Sequence, residues 1–247
     1  MAFNSIEICA GAGGQALGLE QAGFSHAALV EILPEARCTL KMNRPGWNVL
    51  DDGDVKCFSG LPYKGIDLLA GGVPCPPFSK AGKQLGQQDE RDLFPEAMRL
   101  IDEIRPRAVM LENVRGLLDP VFHDYRESME AILRKMGYVP GWGLLNAKDF
   151  GVPQLRPRAV LTAVQQELSD KFAWPLPSQI PVVTVGDALF SLMAERGWRQ
   201  ATEWRRQADK VAPTLVGGSR KHGGPDLGPT RAKRAWAALG VDGHGLA

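Results

Sequence analysis

One thiol in this chain is set apart by its neighbours. Residues 72–79 read Gly-Val-Pro-Cys-Pro-Pro-Phe-Ser, which puts Cys75 between Pro74 and Pro76. Proline fixes its own φ and restricts the residue before it, so the thiol is presented on extended backbone rather than folded into a core. Reactivity of a thiol depends on exposure and on positive neighbours. The polar stretch that follows, 80–92, carries Lys80, Lys83 and Arg91, with Gly82 and Gly86 to let it act as a lid. Cys75 is therefore read as a nucleophile. Cys9, inside an apolar run, reads instead as a core residue.

A second chemical signal lies near the start. Gly11, Gly13 and Ala16 fit the pattern G-x-G-x-x-A, and Glu31 follows twenty residues after Gly11. Glycines let the backbone approach a ligand, and a carboxylate at that distance binds ribose hydroxyls. Taken alone, the pattern suits a nicotinamide dehydrogenase and a methyltransferase equally, and a tight strand–helix turn without a ligand would also produce it. Asp54, after Gly53, has a carboxylate able to accept from an adenine amino group; a lone loop aspartate is also a common turn residue.

These residues need a scaffold, and the hydrophobic pattern supplies one. Strands are expected at 5–10, 26–32, 66–70, 108–111 and 159–164, with helices at 14–22, 34–42, 93–104 and 122–136. Such alternation predicts an α/β fold with a mostly parallel sheet and helices on both faces. Ligands in these folds sit at the carboxyl ends of the strands, where both the glycine loop and Cys75 fall. Pro175, Pro177 and Pro181 mark a boundary, giving an expected division into 1–180 and 181–247, the latter with short helices at 183–192 and 232–239.

Composition narrows the class. The chain has 247 residues, 44% hydrophobic and 23% charged, with a net charge of +1, as expected of one large domain or one domain and part of another. No run of 18 apolar residues and no basic, apolar leader occurs, so a cytoplasmic protein is expected. The four cysteines form no C-x-x-C pair, which argues against a zinc site or disulfide framework and predicts no metal. Between Arg196 and Arg234 there are ten Lys or Arg against three Asp or Glu, a local excess that suits a polyanion or a solvated surface.

Together these segments resemble the DNA cytosine-5 methyltransferase family. The run from Gly72 to Ser79, followed by Gly82-Lys83-Gln84, resembles its catalytic motif, and Glu7–Gly14 its cofactor loop. Glu112-Asn113-Val114 and Gln154-Leu155-Arg156-Pro157-Arg158 resemble two further motifs, and all four stand in the family's order. The resemblance implies a Rossmann-like class I methyltransferase fold, with an incomplete C-terminal recognition segment. It implies S-adenosylmethionine as methyl donor and double-stranded DNA as substrate, as in restriction–modification systems. A transfer-RNA cytosine substrate is the related alternative.

Site roles follow from the resemblance. Cys75 would attack C6 of a flipped-out cytosine, raising electron density at C5, while Glu112, kept protonated by partial burial, donates to N3. Arg158 would contact O2 and Arg156 would support the Cys75 segment or a phosphate, the two sharing one side of an extended segment. The donor would meet the backbone of Ala10, Gly11, Ala12, Gly13 and Gly14, the carboxylate of Glu31, and Ile32, Asp54, Val55, Pro74 and Leu93. Two positions depart from the family. Cys9 stands where Phe is common, removing a stacking face, and Pro76 stands where Gln is frequent. The family's later Gly-Asn-Ser-Val-like motif is not found in the sequence. The resemblance then implies either a second polypeptide that completes the enzyme or a truncated form that binds DNA with weak or no activity.

Overall fold

A computed structural model of the chain describes residues 3–74, 92–179, 181–215 and 227–244. It divides into two compact units, Met1–Leu144 with Arg158–Trp174, and Leu145–Pro157 with Pro175–Ala247.

The first unit is built on a six-stranded sheet. Its strands are β1 (Phe3–Ile8), β2 (Phe24–Val30), β3 (Leu68–Gly71), β4 (Ala108–Val114), β5 (Tyr138–Asn146) and, further on, β7 (Pro157–Gln165), in the order β2-β1-β3-β4-β7-β5. The β2, β1, β3 and β4 neighbours run parallel and β7 runs antiparallel to β4. The helices are α1 (Gly14–Gln21), α2 (Pro34–Asn43), α3 (Phe94–Ile104) and α4 (His123–Lys135). Parallel strands covered on both faces need apolar residues on both, and all four residues of β3 are buried. The larger core joins Ile6, Ile8, Leu69, Val109, Leu111 and Leu161 to Phe94, Ile101, Ile104 and Leu133. On α3, Phe94, Ala97, Met98, Ile101 and Ile104 recur at helical spacing and are buried. Each large apolar side chain so buried contributes about 1.5–3 kcal/mol. The helix stops where Arg105 turns left-handed (φ 51) before Pro106, and the Arg105 guanidinium donates to Met136 O at 2.9 Å.

The second unit contains two-residue strands β6 (Gln154–Leu155) and β8 (Ala212–Pro213), paired in parallel, and helices α5 (Val185–Ala194), α6 (Ala201–Gln207) and α7 (Thr230–Ala237). Its core is Val185, Trp204, Ala208, Ala212, Trp236 and Leu239. Thr184 caps α5, its hydroxyl accepting from Asp187 N at 3.1 Å.

The α/β class with a mostly parallel sheet is as the sequence predicts, and three local features differ. The strand expected at 108–111 runs on to Val114, so Glu112 and Asn113 lie within β4. β5 was not expected, because its sequence carries Pro140, Gly141 and Gly143; its place at the end of the sheet is where proline is tolerated. The single extended segment expected to carry Arg156 and Arg158 is broken. β6 ends at Leu155 and pairs within the second unit, whereas β7 begins at Pro157 and pairs with β4. Among the described residues, no helix is long and apolar enough to cross a membrane.

Candidate active site

A cleft of about 340 Å³ opens in the first unit, lined by Cys9, Glu31, Ile32, Leu33, Gly53, Asp54, Val55, Gly72, Pro74 and Leu93. Most of these residues follow the carboxyl ends of β1, β2 and β3 or precede α3, the edge at which α/β sheets bind ligands, and Gly53, Asp54 and Val55 come from the loop after α2. Six of the expected cofactor residues, Glu31, Ile32, Asp54, Val55, Pro74 and Leu93, line it.

The glycine turn stands beside it. Cys9, Gly11 and Gly13 have φ of 54, 56 and 91, and Gly13 N donates to Ala10 O at 3.0 Å. Ala10 is buried and bonded to Val30 O at 3.2 Å, while Gly14 starts α1. Ala10, Gly11, Ala12, Gly13 and Gly14 are not lining residues, but Gly11 is tied to one: its N–H donates to Glu31 Oε2 at 2.7 Å. Glu31 Oε1 accepts from Leu33 N at 2.8 Å. Each carboxylate oxygen thus makes one backbone bond and keeps capacity for another donor, such as a ribose hydroxyl.

Gly53 makes the close approach that this arrangement demands. A Cβ there would lie 1.8 Å from Glu31 O, so only glycine lets loop 53–60 press against the end of β2. Asp54 is both turn former and cleft wall: its Oδ1 accepts from Lys56 N at 2.9 Å, and its carbonyl from Cys57 N and Phe58 N at 3.0 Å. Ile32 and Leu33 are apolar yet 61% and 55% exposed, leaving an apolar face for a planar ligand to cover. A fixed carboxylate and an apolar face together fit an adenosine-bearing donor.

Cys9 packs against the larger core, as its apolar run suggests, and is only partly buried. It lines the cleft from a left-handed backbone position. Burial, with Glu31 and Glu7 nearby, pushes its thiol up to about 12, so it stays protonated.

Cys75 lies outside the described residues, as does the rest of 75–91, so the expected lid is not described either. The described chain reaches Pro74 on one side and Asp92 on the other. Asn113, 2% exposed, secures the approach to it: its Nδ2 donates to Val73 O at 3.2 Å, and its Oδ1 accepts from Val114 N at 2.7 Å. Its place in the Glu-Asn-Val triplet marked it, but only the structure gives it a partner.

Successive residues of a strand face opposite sides. Glu112 therefore points away from Asn113, toward Arg158. Glu112 pairs with Val160 across β4 and β7, and Arg158 is two residues from Val160 on the same face. Such a diagonal is within reach of long side chains, and Arg158 Nε donates to Glu112 Oε1 at 2.6 Å. The Glu112 side chain is 35% exposed, a partly buried and ion-paired setting. A Cβ on Gly72 would stand 3.9 Å from Glu112 Oε2, which brings this pair up to the cleft. Arg156 belongs to the second unit, where its N–H donates to Asn146 Oδ1 at 3.0 Å. Gln154, beside it, accepts at Oε1 from Leu215 N at 3.2 Å. Among the described residues, no group of three or more His, Cys, Asp or Glu side chains could hold a metal ion.

A family model for C-5 cytosine-specific DNA methylases matches residues 3–220. The chain belongs to that family. It is 61% identical over 216 residues to the type II methyltransferase M.NgoMIV of Neisseria gonorrhoeae, covering 87% of this chain and 69% of that one. It is 57% identical over 244 residues to the type II methyltransferase M.NaeI of Lentzea aerocolonigenes, covering 98% and 59%. The chain thus spans between about three fifths and two thirds of the length of these two curated relatives, and 46% of M.Eco47II of Escherichia coli. The fold of this C-5 cytosine methylase chain is also that of the S. pombe Dnmt2 methyltransferase structure, with a TM-score of 0.63 at 19% identity, covering 96% of this chain and 82% of that one.

Proposed function

We propose that this chain carries the donor site and the catalytic residues of an enzyme that methylates C5 of cytosine in double-stranded DNA, as the modification half of a restriction–modification system. One observation carries the reading. A single cleft holds the carboxylate and the apolar face suited to S-adenosylmethionine, and it runs to Pro74, the residue next to Cys75.

S-adenosylmethionine, when bound, supplies an electrophilic methyl group on a sulfonium. Glu31 would hold the ribose, Asp54 and Val55 the adenine edge, and Pro74 and Leu93 the walls near the reacting centre. Cytosine C5 is a weak nucleophile. Attack of Cys75 at C6 breaks the C5–C6 double bond and makes the ring enamine-like; once C5 is methylated, loss of the C5 proton to solvent re-forms that double bond and expels the Cys75 thiolate, so covalent catalysis divides one hard step into easier ones. The density displaced toward N3 and O2 needs donors. Glu112, which has to bring a proton to donate, would give it to N3, and Arg158, bonded to Glu112 beside Gly72, would pass from the carboxyl group to the ring and donate an N–H to O2 as the base enters. Asn113 positions the segment before Cys75 through Val73 O. Exposed basic residues of the second unit, among them Arg196, Arg199, Lys210, Arg231 and Arg234, suit contacts with DNA phosphates, in what we read as the start of a target-recognition region. Arg156, in that unit, is assigned to phosphate rather than to the ring.

The test is a trapping experiment. Duplex DNA containing 5-fluorocytosine, incubated with S-adenosylmethionine and the protein, should give a covalent complex stable to denaturation, and Cys75→Ser should give none. An adduct that persists in the Ser variant, or that maps to another residue, removes Cys75 from the reaction.

A further inference from the structure

Loop 53–60 forms one wall of the cleft through Asp54 and Val55, yet it belongs to no strand or α-helix. Two side chains from α3, Arg99 and Glu103, hold it. Arg99 Nη2 donates to Val55 O and to Phe58 O, both at 3.0 Å. The rest of the guanidinium is oriented by the helix itself, with Nε donating to Glu96 Oε2 at 2.7 Å and Nη1 to Glu103 Oε1 at 2.6 Å. Glu103 then reaches the loop with its other oxygen, accepting from Gly60 N at 2.7 Å.

The loop is therefore gripped at 55, 58 and 60. It is also seated without slack at both ends. A Cβ on Gly53 would meet Glu31 O at 1.8 Å, and one on Gly60 would meet Ile104 Cγ1 at 2.5 Å. Burial pushes the Glu103 carboxyl up, but the Gly60 N–H and Arg99 outweigh it and hold the group below its ordinary value. Only a planar fork with several donors can serve two carboxylates and two carbonyls at once; a lysine ammonium is a point charge on a flexible stem. No step of the methyl transfer uses Arg99, which is not a lining residue of the cleft.

We propose that Arg99 is a positioning residue for the methyl-donor site, setting the wall formed by Asp54 and Val55 through its bonds to Val55 O and Phe58 O. The inference rests on the donor reading of the cleft given above. Without the clamp, the apolar face of α3 still packs into the core, but the wall samples positions that do not meet the adenosine part of the ligand.

The experiment is titration calorimetry of the wild-type chain and Arg99→Lys with S-adenosylhomocysteine and with adenosine, alongside thermal unfolding. Arg99→Lys should weaken both ligands by about tenfold, equivalent to about 1.4 kcal/mol, with Tm lowered by no more than about 4 °C. In methylation assays the donor KM should rise while kcat at saturating donor holds. A dissociation constant within about twofold of wild type in the folded variant, whatever the change in Tm, overturns the inference and leaves the donor reading standing. Failure of the wild-type chain to bind S-adenosylhomocysteine overturns both. If Arg99→Lys does not fold, Glu96→Gln is read by the same titration. Loosening the outer anchor of the guanidinium should weaken both ligands about threefold, and an unchanged constant there counts against the proposal.

Discussion

The two units of the chain hold themselves together in different ways. In the first, constraint is spread over many small contacts: aliphatic residues of a parallel sheet under α3 and α4, and a cleft fixed largely by backbone groups at Gly11, Leu33, Gly53 and Val73. In the second, helices of seven to ten residues close over a core dominated by Trp204 and Trp236. The Nε1–H groups of both indoles are buried without a hydrogen-bond partner among the described residues. A few large side chains thus carry one core, whereas many moderate ones carry the other. That difference predicts how unequal the response of each unit to a single substitution should be.

The largest effect is expected in the second unit. Trp236→Ala should cost about 3–5 kcal/mol, comparable with the whole stability of a small domain. In hydrogen exchange, α5, α6 and α7 should lose protection while β1, β3 and β4 keep theirs. Uniform loss across both units would mean that the cores are not energetically distinct, and the contrast would fail.

In the first unit the greatest single sensitivity is a polar group. Glu7 is buried on β1, its Oε2 has no partner among the described residues, and burial pushes its carboxyl up to about 8. Below about pH 4.5 the group is protonated in both the folded and unfolded chain. Between about 4.5 and 8 the unfolded chain releases that proton and the folded chain does not, so stability falls as pH rises, by up to about 1.4 kcal/mol per pH unit. Above 8 the full penalty, on the order of a few kcal/mol, remains. Glu7→Gln should therefore raise the urea midpoint most at pH 8 and leave it little changed at pH 4. A gain independent of pH would trace the effect to packing instead.

What could be read from the sequence follows the same division. The strands and helices of the first half are legible because burial on one or two faces imprints a period, as Phe94, Ala97, Met98, Ile101 and Ile104 do on α3. Of the cleft residues, Glu31 was legible by its spacing from Gly11 and Asp54 by its type after Gly53, whereas Ile32, Val55, Pro74 and Leu93 came only with the family resemblance. β5 was hidden by its proline and glycines, and α6 by having only seven residues. The roles of Arg99, Asn113 and Gly53 were invisible for another reason. Each acts on backbone atoms of a segment dozens of residues away or packed from another strand, and no local pattern records which carbonyl a side chain will meet. Arg156 and Arg158 show the converse: two residues apart in sequence, they belong to different units.

The smallest expected effect sharpens the contrast from the other side. Tyr125 Oη on α4 donates to Asp92 Oδ2 at 2.7 Å, and Asp92 Oδ1 accepts from Phe94 N at 3.0 Å, closing the first turn of α3. Leu93 lies between Asp92 and Phe94 and lines the cleft. Tyr125→Phe removes only the hydroxyl; the ring keeps its edge contact with Phe94, whose centroid is 6.0 Å away. Asp92 is left able to turn to water, so the loss should be about 0.5–1.5 kcal/mol in denaturant unfolding. Because the N–H of Phe94 still has its acceptor, Leu93 should stay in place and affinity for S-adenosylhomocysteine should fall by no more than about threefold. If this one hydroxyl cost as much as the indole of Trp236, the first unit would depend on single contacts as heavily as the second, and the distributed character attributed to it would be wrong.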